Sequence, residues 1–348
     1  MITEFVKISD VTSDVDRQKI RQAAEILCRG GLVVFPTETV YGLGGNATDP
    51  TAAERIYSAK GRPSDNPLII HIATPEEAEK YAVTSPLYYR LASAFFPGPL
   101  TVILPVRDTI PKTVTAGLPT VAVRCPSHPV ANALIREAGV PIAAPSANLS
   151  GSPSPTSARH VRDDMDGRVD VILDGGECEI GLESTIVKIE EDGTLTLLRP
   201  GAITPEDLSV VAPEVRIASA VLGALKTGEQ VLSPGMKYKH YAPKTPFALL
   251  EGSEDQVAAF LHDKGANVAF FAYEEDIPLL RSCTKATLIA IGSRNEPQQL
   301  AKRLFWLLRE CDKKGYTEIY ADLPVPRGLG LALYNRMIRA AAHKIITL

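Results

Sequence analysis

The chain has 348 residues, 45% of them hydrophobic and 22% charged, which is ordinary soluble globular composition with room for two domains and a sizeable core. Its 37 Lys and Arg against 41 Asp and Glu leave a net charge of −4, which argues against a general electrostatic grip on nucleic acid but leaves room for a local patch. No window approaches the ~18 apolar residues of a membrane-crossing helix and the N-terminus lacks an apolar leader core, so a cytoplasmic protein is expected. The five cysteines (Cys28, Cys125, Cys178, Cys283, Cys311) are far apart and free of C-x-x-C pairs, so neither a disulfide framework nor a zinc site is suggested.

Taken in chain order, Ile20, Ala23, Ala24 and Leu27 form a helical stripe that stops at Gly30-Gly31, and residues 32–35 follow as a buried apolar strand. Pro36-Thr37-Glu38-Thr39 ends that strand with hydroxyls and a carboxylate. Gly42, Gly44 and Gly45 predict a backbone that turns with positive φ or passes close to a ligand. Asp49-Pro50 reads as N-cap and first helical position of a helix over 51–59 that Gly61 stops, so that Lys60 and Arg62 leave its C-terminal end. The helix dipole alone accounts for two cations there, at ~0.3–1 kcal/mol. The next residues shift that balance. A proline-bounded polar loop carries Asn66, and a strand over 68–72 places His71 inside an apolar run. A lone strand histidine usually belongs to the core, but four kinds of polar group converging on one strand favour an anion-binding site.

Short helices are predicted from Thr74-Pro75 and over 86–96, strands over 100–104 and 120–124, and a helix over 129–138. A short strand then empties into Ser146-Ala147-Asn148-Leu149-Ser150-Gly151, whose residue types alone read as a surface turn. Strands over 169–173, 184–189 and 194–198 follow, with Asp192-Gly193 as a hairpin turn and Arg199-Pro200-Gly201 closing the last. Strands and helices without a regular βαβ rhythm predict an α/β domain with a mixed, twisted sheet. Only helix fragments are expected over 205–231, and residues 233–243, with Tyr238, Tyr241, Lys237 and Lys239, read as a linker. From Pro246 the pattern restarts: strands over 247–250, 268–273, 286–291 and 318–321, with helices over 299–311 and 329–342, predict a small doubly wound, Rossmann-like α/β domain. Arg336 and Arg339 on the last helix read as a solvated face. The resulting division is a first domain over 1–205, a linker over 206–245 and a second domain over 246–348.

Gly42-Leu43-Gly44-Gly45-Asn46-Ala47 fits G-x-G-x-x-A, but the helix starts too late to set a pyrophosphate on its N-terminus. There is no G-x-x-x-x-G-K-[ST], G-x-S-x-G or H-E-x-x-H. Ordinary NTPases, α/β hydrolases and zincins lose support accordingly.

In combination, P-T-E-T-x-Y-G-L-G, K-G-R-P-x-x-x-N-P-L, F-P-G-P-x-T, Ser146-Ala147-Asn148, Gly181-Leu182-Glu183-Ser184-Thr185 and Leu198-Arg199-Pro200-Gly201 resemble the YrdC-type domain of threonylcarbamoyl-AMP synthases. Ser233-Pro234-Gly235-Met236 and the second domain resemble the longer, two-domain form. The resemblance implies a nucleotidyltransferase that turns L-threonine, bicarbonate and ATP, with Mg²⁺, into L-threonylcarbamoyladenylate and pyrophosphate. A separate transferase would then modify tRNA beside the anticodon. It further implies that Lys60, Arg62, Ser146 and Asn148 surround the triphosphate, and that Asn66, Thr120, Ser154, Arg199 and Tyr238 complete the ATP contacts. Thr39, His71, Arg124, Ala144 and Ser184 would hold threonine, Ala144 through backbone groups only. Either Tyr238 or Tyr241 would place the linker over the cleft, excluding water as a lid. No metal ligand and no covalent nucleophile is implied. Two rivals compete with this reading. A carbamoyl-transfer protein on the same domain would be expected to carry acylphosphatase and zinc-finger segments, and an RNA-binding module is disfavoured by the net charge.

Overall fold

The computed structural model describes residues 2–223 and 241–348. The chain divides into two compact units: residues 151–153 and 180–182 group with 241–348, and the remaining residues up to 223 form the first unit.

The first unit is built on an 11-stranded mixed sheet. Its strands are β1 (Glu4–Lys7), β2 (Val33–Phe35), β3 (Gly42–Asn46), β4 (Ile69–His71), β5 (Leu100–Pro105), β6 (Thr120–Arg124), β7 (Ile142–Ala143), β8 (Val171–Asp174), β9 (Thr185–Ile189), β10 (Leu195–Arg199) and β11 (Val215–Ile217). They lie in the order β1-β8-β2-β3-β7-β4-β6-β5-β9-β10-β11. The helices Asp14–Cys28 and Pro129–Ala138 cover part of one face. Their stripes of Ile20, Ala23, Ala24, Leu27, Leu134 and Ile135 close a core over Val33, Phe35, Ile142 and Leu173. The helix Pro50–Lys60 has Asp49 as its N-cap, accepting from the Thr51 N–H, and ends on Gly61 at φ +60°. Asp192-Gly193 joins β9 to its antiparallel partner β10 as expected.

Gly42, Gly44 and Gly45 do not turn the chain: they lie within β3, Gly42 and Gly44 paired antiparallel with β2 and Gly45 with β7, and none has a positive φ. Their smallness serves packing. A Cβ on Gly44 would lie 2.7 Å from Ile142 Cγ2 and 2.8 Å from Phe35 Cε1, so this strand passes bare-backed beneath two core side chains. Strands β1 and β11 escaped the sequence reading because they are short and end the sheet, where half-exposed residues leave no alternation to detect.

The second unit has five parallel strands, β12 (Phe247–Glu251), β13 (Val268–Ala272), β14 (Thr287–Ala290), β15 (Glu318–Asp322) and β16 (Ile345–Thr347), in the order β14-β13-β15-β12-β16. Helices Glu254–Leu261, Ile277–Cys283, Pro297–Lys314 and Leu329–Ala340 alternate with them, as a doubly wound domain requires. The solvated face expected for Arg336 and Arg339 is wrong: Arg336 is fully buried and Arg339 is 8% exposed. The Arg336 guanidinium lies 5.4 Å from the Tyr241 ring centre and donates to Asn335 Oδ1 at 2.7 Å, while Tyr241 stacks on Phe305 at 5.2 Å. An aromatic face and an amide oxygen offset the burial of the guanidinium, partners that helical periodicity does not reveal. Among the described residues no helix is long and apolar enough to cross a membrane.

Candidate active site

Four neighbouring strands of the first unit set residues in one row across the sheet. Ile142 of β7 pairs with His71 of β4, His71 with Arg124 of β6, and Arg124 with Thr101 of β5. Cα partners in a ladder share a face, so imidazole, guanidinium and hydroxyl emerge side by side. Arg124 is met from the Pro36-Thr37-Glu38-Thr39 turn by Glu38: its Nη2 donates to Glu38 Oε1 at 2.7 Å, and both side chains are 5% exposed. The other oxygen, Glu38 Oε2, accepts from the Ser127 N–H at 3.2 Å. Arg124 Nε is buried without a hydrogen-bond partner among the described residues, which leaves the fork with donor capacity in reserve. Thr39 is fully buried, its hydroxyl 2.9 Å from that of Thr37. Ala144, just past β7, donates its N–H to the Ile69 carbonyl at 2.9 Å.

His71 Nδ1 lies 3.2 Å from the Ile69 carbonyl and 3.3 Å from that of Ile142. Carbonyls only accept, so this nitrogen carries the proton and Nε2 keeps its lone pair. Burial first, and the Arg124 charge second, pull the imidazole down to about 3. His71 is therefore a neutral acceptor at physiological pH. The shift also links stability to pH. Below pH ~6.5 the unfolded chain takes up a proton that the folded chain refuses until about pH 3, so this contribution is complete above 6.5 and is lost through that window at ~1.4 kcal/mol per pH unit. His71→Asn is expected to flatten the fall of the urea midpoint between those pH values relative to the parent chain.

Ser184, at the mouth of β9, joins the row: its hydroxyl lies 2.7 Å from Thr101 Oγ1. Arg199, the last residue of β10, donates from Nη2 to Ser184 Oγ at 3.0 Å and from Nε to the Ser184 carbonyl at 3.0 Å. Next to Ser184, Glu183 Oε1 accepts from the hydroxyl of fully buried Ser154 at 2.5 Å. Ser184, which the resemblance assigns to threonine, and Arg199, which it assigns to ATP, touch directly.

The second cluster lies around the end of the helix Pro50–Lys60. Lys60 is only 3% exposed, and its ammonium donates to the carbonyls of Ser146 and Asn148, at 2.5 Å each. The Ser146 hydroxyl donates to Asn148 Oδ1 at 2.5 Å. The Ser146 to Asn148 segment is consequently a clamped loop and no solvated turn. Arg62 Nη2 donates to the carbonyls of Asn66 and Pro67 at 3.2 and 3.1 Å, and Tyr57 Oη holds the Asn66 carbonyl at 3.2 Å. Asn66 is 1% exposed, and its Oδ1 has no hydrogen-bond partner among the described residues. Thr120 stands apart from Arg124 at the opposite end of β6, about 13 Å along the strand at ~3.3 Å per residue. Tyr238 lies outside the described residues. Tyr241 is 4% exposed and committed to its stack on Phe305. Glu38, Thr101 and Glu183 were quoted in the sequence motifs without a role; their hydrogen bonds to Arg124, Ser184 and Ser154 are what single them out.

The fold and these two clusters define a YrdC-type domain followed by a parallel α/β unit. The family profile for Sua5, YciO and YrdC, described as "Telomere recombination", matches residues 25–201, and that described as "Threonylcarbamoyl-AMP synthase, C-terminal domain" matches 203–342. The threonylcarbamoyl-AMP synthases of Pyrococcus abyssi and Bacillus subtilis are each 44% identical, over 97% and 98% of this chain and 98% of each relative. Among solved structures, P. abyssi Sua5 complexed with L-threonine superposes with a TM-score of 0.88 at 41% identity, covering 100% of both chains. The chain belongs to the threonylcarbamoyl-AMP synthase family, in its two-domain form.

Proposed function

We propose that the chain is a nucleotidyltransferase that makes L-threonylcarbamoyladenylate from L-threonine, bicarbonate and ATP and releases pyrophosphate. The observation that supports it best is the row of His71, Arg124 and Thr101, extended by Ser184 and backed by Glu38. Arg124 receives the threonine carboxylate on the donors that Glu38 leaves over, and His71 Nε2 with the Thr39 and Ser184 hydroxyls reads the ammonium and hydroxyl groups. The threonine amine adds to bicarbonate, losing water, to give a carbamate. A carbamate oxygen then attacks the α-phosphorus of ATP, whose bond to pyrophosphate breaks. Such a transfer calls for positioning and charge neutralisation more than for covalent help. Lys60, Arg62 and Asn66 line the triphosphate with the Ser146 to Asn148 loop, and Arg199 ties that side to Ser184.

Mg²⁺ arrives as part of the nucleotide. It would be held largely by phosphate oxygens and water, and would offset the charge of the triphosphate beside Lys60 and Arg62. The product is a mixed anhydride that water would destroy. Its consumer is a transferase acting on a tRNA adenosine beside the anticodon. The test is pyrophosphate release with threonine and bicarbonate omitted in turn. Release that requires both, accompanied by a product carrying the mass of threonine, carbonate and AMP less two waters, is the expected result; release indifferent to threonine overturns the assignment.

A further inference from the structure

We propose that the second unit carries a binding site of its own, for a small organic ammonium with an apolar body, in the cleft at the carboxyl ends of its parallel strands. This cleft has a volume of about 760 Å³, within the range of small-molecule sites. Four of the five strands feed it: Glu251 ends β12, Asp276 follows β13, Arg294 follows β14, and Asp322 ends β15. Open parallel sheets bind their ligands outside these ends, because the connecting loops part there. Nothing in the chemistry assigned to the first unit uses this place.

The lining decides the class of ligand. On the floor, the Arg294 guanidinium donates to Asp276 at 2.5 Å and to Asp322 at 3.3 Å and lies 4.4 Å from the Tyr273 ring centre, so its charge is already matched. Asp276 is 6% exposed and fixed by this contact. Asp322 keeps Oδ1 buried and without a hydrogen-bond partner among the described residues, an acceptor lying among the residues that line the cleft. Two carboxylates against one guanidinium leave a negative floor, and Glu251, Glu254 and Asp255 add to it at the rim. A nucleotide or other phosphate is disfavoured. The helix Glu254–Leu261 presents its N-terminus to the cleft, yet Ser253 and Gln256 form a capping box there, and two acids fill the first turn. The walls are apolar, with Leu250, Val257, Leu280 and Leu323, and at the mouth Leu279 and Val325 stay 41% and 75% exposed. An ammonium seated against the Asp276 and Asp322 carboxylates would balance the negative charge that one guanidinium leaves over, while a hydrocarbon body would cover those side chains.

Cyclohexylmethylammonium and cyclohexanecarboxylate share a body and differ in charge. Titrated into the full chain and followed by ligand-observed NMR and calorimetry, the ammonium is expected to bind and the carboxylate is not. Asp322→Asn should weaken the ammonium at least tenfold, and Leu279→Lys, a change at an exposed position, should do the same by placing a cation at the mouth. Threonine-dependent pyrophosphate release should be unchanged in both variants. The proposal is overturned if neither probe binds, if both bind equally, if the variants bind like the parent, or if ATP with threonine displaces the probe.

Discussion

Arg124→Met should reduce kcat/KM for threonine by roughly 10²- to 10³-fold while leaving the KM for ATP within a few-fold of the parent. Its guanidinium is the carboxylate partner in the proposed chemistry, and it also neutralises Glu38 at 2.7 Å in a place where both side chains are 5% exposed. Removing one member of such a pair strands the other charge, at a cost of ~3–5 kcal/mol. The single variant therefore mixes lost recognition with lost stability. The double variant Arg124→Met, Glu38→Gln separates them, because it removes both charges. Urea midpoints should recover toward the parent in the double variant, and threonine turnover should not. Joint recovery of both would return Arg124 to a structural role.

Lys60→Ala should lower the rate of pyrophosphate release about 10²- to 10³-fold, with threonine affinity, measured by calorimetry without nucleotide, changed by less than threefold. The ammonium holds the carbonyls of Ser146 and Asn148 at 2.5 Å. Charge-assisted hydrogen bonds contribute ~1.5–3 kcal/mol each, and the loop they hold carries two of the groups assigned to the triphosphate. Equal losses in threonine and nucleotide affinity would show that the loop supports the whole site and has no separate phosphate role.

Much of this site was legible in the chain because its residues arrive in short, punctuated motifs. Asp49-Pro50 and Gly61 mark the ends of the helix that delivers Lys60, and those are local signals that tertiary context rarely overrides. His71 in an apolar run was readable as an anomaly for a similar reason. The positive φ expected of Gly42, Gly44 and Gly45 is absent since a glycine carries two meanings, backbone freedom and absence of a side chain, and only the positions of Phe35 and Ile142 distinguish them. Arg336 was misplaced because one of the groups its buried guanidinium packs on, the Tyr241 ring, comes from a segment 95 residues earlier in the chain. Glu38, Thr101 and Glu183 lay in the motifs, but nothing in their spacing says which cation or hydroxyl each one meets.

The row of Ile142, His71, Arg124 and Thr101 sets its own scale of length. Neighbouring strands stand ~4.8 Å apart, a distance fixed by main-chain hydrogen bonds and indifferent to side-chain identity. The spacing from imidazole to guanidinium to hydroxyl is therefore a property of backbone pairing, which conservative changes in the surrounding core leave untouched. Alternation makes the same arrangement intolerant of length: one residue inserted in β6 ahead of Arg124 would turn the guanidinium to the opposite face of the sheet. Such a chain could keep a folded sheet and still lose every contact that the row provides, so the site should accept drift in composition around it and almost none in the length of the strands that carry it.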